Sequence, residues 1–177
     1  NCGTKIDTDM IIFSAGIKPE ISLAVDAGLV TGRGIRVNEY MQTTDPDIYA
    51  VGDAVESVSP VTGKYVVVPL AGPAGKQARI VADNIAYNAG KKYKGAIGTA
   101  VARVFDLTVA STGYSEKALK RDNIEYKTVI THGFSHAGYY PGAMPLTLKL
   151  IFSPQGKLYG GQVIGYDGAD KRIVMIA

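Results

Sequence analysis

Tryptophan is absent from this 177-residue chain, cysteine occurs once and histidine twice. A single cysteine, Cys2, excludes an internal disulfide and a cysteine-cluster metal site, and it fits a reducing, cytoplasmic setting. The two histidines, His132 and His136, lie four apart, but Gly133 and Gly138 break the helix that would align them. No metal centre is therefore expected. No run of about 18 apolar residues occurs, which excludes a membrane-spanning helix. Charge of one sign is scarce too: 19 basic against 16 acidic residues leave +3. That excess is too weak to point to nucleic acid or to a membrane surface as partner. A Walker loop, a GxGxxG turn, an HxxxH pair and a cysteine pair are all missing, as are repeats and low-complexity tracts.

What is present has ordinary globular proportions, with 46% hydrophobic and 20% charged residues and length for one large or two small domains. The basic excess is confined to one half. Residues 1–95 carry ten basic and ten acidic groups, residues 96–177 nine and six. Residues 88–95 (NAGKKYKG) are a polar, basic connection and mark a boundary between a domain over 1–95 and another over 96–177. The chain opens without methionine and stops inside an apolar pattern (172–177, RIVMIA), so it reads as a fragment of something longer.

Local patterns predict the elements. Residues 9–16 (DMIIFSAG) form a continuous apolar run closed by Gly16, the pattern of a strand buried on both faces. Residues 21–27 offer one or two helical turns stopped by Gly28. Residues 35–37 and 65–68 read as short strands, and 48–51 as a buried strand ending on Gly52 and Asp53. The longest helix spans about 73–88, with Ala74, Ala78, Ile80, Val81, Ile85 and Ala86 as its apolar face and Gly90 as its stop. Further strands are expected at 101–105, 107–112, 126–131, 146–152 and 158–164. Residues 146–152 alternate as a half-exposed antiparallel strand should, and Pro154 to Gly156 turn it into a hairpin with the next strand. A short helix starts after Ser115 as N-cap, and another opens near Gly168.

The segment 43–53 (TTDPDIYAVGD) carries the chemistry. A buried strand would deliver Gly52 and Asp53 to the carboxyl edge of a parallel sheet, where ligands of α/β proteins bind. Gly52 lets another group approach the backbone closely, and Asp53 supplies an acceptor suited to sugar-like hydroxyls. A Gly-Asp turn by itself is structural as often as it is functional.

Thr43-x(5)-Tyr49-Ala-Val-Gly-Asp resembles the second flavin-binding motif of the pyridine nucleotide-disulfide oxidoreductase family. The resemblance implies an α/β, Rossmann-like portion followed by an α+β dimerisation domain with a mostly antiparallel sheet. It implies that Asp53 bonds the ribityl chain of FAD. Residues 9–19 resemble the strand and glycine turn, at Gly16, by which the family's chain leaves its NAD(P)H domain and re-enters its FAD domain. Residues 68–85 resemble the helix whose N-terminus points at the flavin ring, with Leu70 and Ala71 as the backbone positions. Residues 136–143 (HAGYYPGA), Lys149, 160–165 and 167–173 resemble coenzyme A-disulfide reductases and related NADH oxidases.

By that resemblance Tyr140, or else Tyr139, faces coenzyme A and the catalytic cysteine of the other subunit, with His136 a weaker participant. The alternative for 139–141 is an aromatic interface or core cluster, and the two roles are compatible. The family's GxGxxG, its redox cysteine and most of its NAD(P)H domain match no segment here, nor does the His-Glu pair of its glutathione reductase branch. The expected parent is thus an FAD-dependent NAD(P)H oxidoreductase and homodimer, reducing coenzyme A disulfide, a related disulfide or oxygen. One branch also carries a fused rhodanese domain. The competing reading is an inactive dimerisation module.

Overall fold

The computed structural model describes residues 3–177; Cys2 lies outside them. In chain order the elements are α1 (Ser22–Asp26), β1 (Ile35–Arg36), β2 (Val55–Val58), β3 (Tyr65–Val67), α2 (Ala71–Tyr87), β4 (Ala100–Val104), β5 (Leu107–Gly113), α3 (Glu116–Arg121), β6 (Lys127–Phe134), β7 (Pro145–Phe152), β8 (Leu158–Gly165) and α4 (Ala169–Ile176). They build two sheets. The first has three strands in the order β1-β2-β3, parallel then antiparallel, and the second has five in the order β4-β5-β8-β7-β6, antiparallel throughout.

Around the first sheet, Val37, Met41, Val55, Ile80 and Tyr93 form a small core. The turn-rich segment before β2 folds on its own polar side chains. Asn38 Oδ1 accepts from the N–H groups of Tyr40 (2.9 Å) and Gln42 (3.1 Å), and Asp45 Oδ1 from that of Asp47 (2.9 Å); such local bonds replace a ladder.

Two expected strands are absent. Residues 9–16 are exposed and unpaired with any strand, so Ile11, Ile12 and Phe13 face solvent. Residues 48–51 make only an isolated bridge, Tyr49 to Gln42, and Ile48 and Val51 are exposed. Apolar runs of this kind need a neighbouring strand and two covering layers, and the three short strands of this sheet supply neither. Gly52 and Asp53 consequently sit in the turn entering β2, not at the carboxyl edge of a strand.

Helix α2 also differs from its expected outline. Its inward face is Ala74, Gln77, Ile80 and Val81, while Ala78, Ile85 and Ala86 are exposed. Asn88, in the left-handed region at φ +48°, ends it ahead of Gly90; asparagine tolerates that conformation at a C-cap. Asn84 then holds the connection, its amide accepting from Lys91 N–H (2.7 Å) and donating to Lys91 O (2.9 Å).

The second sheet follows the expected pattern closely. Helix α4 covers one face, where Ala110, Leu146, Val163, Ala169 and Ile173 form the core. Ser115 Oγ caps α3 by accepting from Ala118 N–H, and Lys120 and Arg121 at its end favour the negative pole of the helix. Gly160 is required by close approach: a Cβ there would meet Tyr114 N at 2.7 Å and Thr112 O at 2.8 Å. Alternation along β7 is muted. Residues 147–150 are all half-buried, and a register shift at Ile151/Phe152 accompanies full burial of Ile151, so this end of β7 is covered on both faces.

The two sheets are tied by Tyr114, whose hydroxyl reaches Ser59 Oγ (3.2 Å) and Thr62 Oγ1 (3.0 Å), and by Lys157 Nζ, which donates to Pro60 O (3.2 Å) and Val61 O (3.3 Å). A cleft of about 450 Å³ between them is lined by Ser59, Val68, Leu70, Gly98, Tyr114 and Gln162 among others.

Candidate functional site

Gly52 adopts φ +90°, and a Cβ on it would meet nothing within 4 Å. The glycine is therefore needed for its backbone conformation, and the space above it stays open to a ligand. Asp53 beside it is exposed and has no hydrogen bond or ion pair among the described residues. An ionised carboxylate left free at such a turn is an acceptor awaiting hydroxyl or N–H donors.

The second half of this site is the start of α2. Leu70 is its N-cap, in extended conformation and without a side-chain cap, and no acidic residue occupies the first turn. The N–H groups of Ala71 and Gly72 remain unpaired by any capping side chain, while Pro73, which has none, follows them. A helix end of 17 residues with free donors favours an electron-rich or anionic group. Leu70, Ala71 and Gly72 line a cavity together with Lys76, Tyr93 and Thr99.

The two halves are joined by a residue that the sequence pattern did not single out. Gln77 is only 4% exposed, and its Oε1 accepts from Gly52 N–H at 2.8 Å. The signal was present: Gln77 lies three residues after Ala74 and four before Val81, a polar group on the inward face. Tyr93 also escaped notice. It is 6% exposed and its hydroxyl lacks a hydrogen-bond partner among the described residues. Burial pushes its phenol above the ordinary range, and the nearby Gln77 amide opposes that without meeting hydrogen-bond geometry. Gly16 stands apart. It is exposed at φ +82° in the segment before α1, and no hydrogen bond joins it to Gly52 or Asp53.

The third group lies in the loop between β6 and β7. Ser135 N–H donates to Met144 O (2.8 Å) and Met144 N–H to Ser135 Oγ (3.1 Å), closing the neck of this loop. Within it Tyr140 N–H donates to Ala137 O (3.0 Å). The Tyr140 ring meets His136 edge-on, with centroids 5.7 Å apart at 82°. Tyr139 is 93% exposed and Tyr140 66%. The rings do not form a core cluster; they are presented outward, Tyr140 held by its neighbour and Tyr139 not. His132 faces Thr147 instead, Nδ1 to Oγ1 at 3.0 Å. Among the described residues no group of three His, Cys, Asp or Glu is placed to hold a metal ion, and no helix is long and apolar enough to cross a membrane.

Near this loop the sheet face opposite α4 is open. Cross-strand rows Val109–Ile164–Thr147–His132 and Ser111–Gln162–Lys149–Ile130 run across it, and Val109, Ile130 and Ile164 are exposed. Lys149 Nζ reaches Glu116, which also accepts from the Tyr126 hydroxyl at 2.8 Å. The Lys149 ammonium, with Tyr126 second, holds the Glu116 carboxyl below the usual carboxylate range.

Residues 1–78 match the pyridine nucleotide-disulphide oxidoreductase family, and residues 99–177 its dimerisation domain. The chain is 36% identical to an NADH oxidase of Methanocaldococcus jannaschii over 97% of its own length and 38% of that protein's. It is likewise 36% identical to a coenzyme A disulfide reductase of Staphylococcus epidermidis, over 96% of this chain and 39% of the other. The crystal structure of reduced CoADR-RHD from Bacillus anthracis superposes with a TM-score of 0.91 at 53% identity, covering 97% of this chain and 31% of that one. The chain thus spans less than two fifths of the length of these relatives. The matches cover both sheets and the connection between them, and the chain belongs to the pyridine nucleotide-disulphide oxidoreductase family.

Proposed function

We propose that the full-length protein is an FAD-dependent NAD(P)H oxidoreductase of the cytoplasm that reduces coenzyme A disulfide or a related disulfide as a homodimer. The observation that carries this reading is the free Asp53 carboxylate on a turn tied to an uncapped helix start. That arrangement fits the ribityl hydroxyls and the electron-rich edge of a flavin. FAD held by these residues would supply two-electron transfer from NAD(P)H to the disulfide, whose sulfurs leave as two thiols once the hydride's proton and one from solvent are taken up.

The residues of this chain have binding and positioning roles. Asp53 accepts hydrogen bonds from ribityl hydroxyls, and the Ala71 and Gly72 N–H groups donate to the ring, their helix pole favouring negative charge there. Gly16 shapes the chain's return to this site. Residues 1–95 supply this cofactor half, and residues 96–177 supply the dimer surface. Tyr140, its ring steadied by His136, presents a phenol that can donate to a sulfur anion of substrate or of the other subunit. Tyr139 adds an aromatic wall for coenzyme A. The nucleophilic thiol is supplied by a cysteine outside this chain.

A second reading, oxygen as acceptor, is favoured by the equal identity to an NADH oxidase. The deciding experiment is the absorbance spectrum of the full-length protein followed by NADH and NADPH oxidation with coenzyme A disulfide or oxygen alone. A flavin spectrum with fast disulfide-dependent oxidation is expected. Fast oxidation with oxygen alone selects the second reading, and a colourless protein refutes both.

A further inference from the structure

We infer that Gln77 is a positioning residue for the cofactor: it sets the Gly52–Asp53 turn in register with the N-terminus of α2, so that both grip one ligand. The inference rests on the flavin reading of Asp53.

Gln77 lies two helical turns into α2, about 10 Å along the axis from Leu70 at 1.5 Å per residue. It touches no ligand itself. Its one side-chain hydrogen bond among the described residues crosses from the helix to the turn, from Gly52 N–H to Oε1 at 2.8 Å. The far side of the turn is held by Val55 N–H to Gly52 O at 3.2 Å and by Ile35 N–H to Ala54 O at 2.8 Å, but neither bond reaches the Gly52 N–H. Gly52 sits at φ +90° with open space about it, so without an outside tether this peptide is free to rotate. The Gln77 side chain has no such freedom, being buried beside Ile80 and Tyr93 in the first core.

A buried polar residue costs stability unless its bond is worth more than an apolar substitute. Ile80, one helical turn on, shows that this face accepts aliphatic side chains. What glutamine adds here is an acceptor of defined reach. With it, the free Asp53 carboxylate and the free helix donors are held at one separation, matched to one ligand.

The test uses the full-length protein with Gln77→Met, Gln77→Glu and Asp53→Ala. FAD dissociation constant, flavin midpoint potential and melting temperature of the apoprotein are measured. Methionine keeps length and removes the acceptor; glutamate keeps the acceptor and buries an ionisable group. Expected for Gln77→Met is FAD affinity weaker by about tenfold, the scale of one hydrogen bond, with a more negative potential as the helix donors lose alignment. Gln77→Glu should melt lower than Gln77→Met and yet bind FAD more tightly. Affinity that simply follows melting temperature across the variants, or parental affinity in Gln77→Met, overturns the inference. If Gln77→Met does not fold, Gln77→Asn, whose shorter arm cannot reach Gly52, replaces it with the same expected loss of affinity. Parental FAD affinity in Asp53→Ala refutes the flavin reading itself and takes the inference with it. Loss in Asp53→Ala without loss in Gln77→Met overturns the inference alone.

Discussion

The two sheets of this chain leave different things unfinished. The three-stranded part buries Thr43, Glu56, Ser57, Ser59 and Gln77 beside a small core, and it leaves a carboxylate and a set of helix donors without partners. The five-stranded part pairs its strands in antiparallel ladders, and what it leaves uncovered is a mixed sheet face with Val109, Ile130 and Ile164 exposed, and two tyrosines. Free polar groups with open space around them suit a small polar ligand; an open sheet face that mixes exposed aliphatic side chains with polar ones suits another protein surface. The proposed division of labour between cofactor and interface rests on this difference.

The strongest blow to this contrast comes from the second core. Ile173 is fully buried between α4 and the sheet, so Ile173→Ala should cost about 2–5 kcal/mol. Denaturant unfolding followed in the full-length protein should show this loss with FAD affinity nearly unchanged. Equal loss of FAD affinity would mean the two parts are not separable. Next in size is Tyr140→Phe. Losing one hydrogen bond to a charged sulfur predicts about 1.5–3 kcal/mol in the transition state, roughly 10- to 150-fold in disulfide turnover. Flavin content and dimer mass should stay constant, and parental turnover in both Tyr140→Phe and Tyr139→Phe would make the pair structural.

Tyr93→Phe should act in the opposite direction. It removes a buried hydroxyl that has no partner among the described residues, and a stability gain of up to about 1 kcal/mol is expected in thermal unfolding. A loss would reveal a partner for that phenol. The smallest effect concerns acid. Because Lys149 lowers the Glu116 value in the folded chain, the pair contributes stability above the unfolded carboxyl value of about 4.3. That contribution disappears as pH falls through the lowered folded value. Lys149→Met should therefore flatten the acid limb of a stability profile between about pH 5 and 3. An unchanged limb would show that this half-buried pair is fully screened.

The second sheet was legible because its signals are local. The 158–164 strand, the Pro154 turn and the Ser115 cap each announce themselves within a few residues, and every strand pair of this sheet except β5–β8 joins neighbours in sequence. The first region was harder. Residues 9–16 and 48–51 read as buried, but an apolar run says nothing of which layer buries it. The α2 face was displaced because alanines count as apolar wherever they fall, whereas Gln77 takes its buried place through a bond to Gly52. Asn88 replaced Gly90 as the cap for a similar reason, since either residue can turn left-handed. Of the candidate site, Gly52, Asp53, Leu70 and Ala71 are named by the sequence motif, whereas the Gly52–Gln77 hydrogen bond is not.

The separability of cofactor and interface is tested most directly by recording flavin absorbance and light-scattering mass on the same samples. Two variants of the full-length protein are needed, Asp53→Ala and Ile164→Lys, the latter placing a charge on the open sheet face. The account predicts that Asp53→Ala loses FAD and keeps its dimer mass, while Ile164→Lys keeps FAD and shifts toward the monomer. Dimer mass retained in Ile164→Lys, or FAD and dimer mass lost together in either variant, would contradict it.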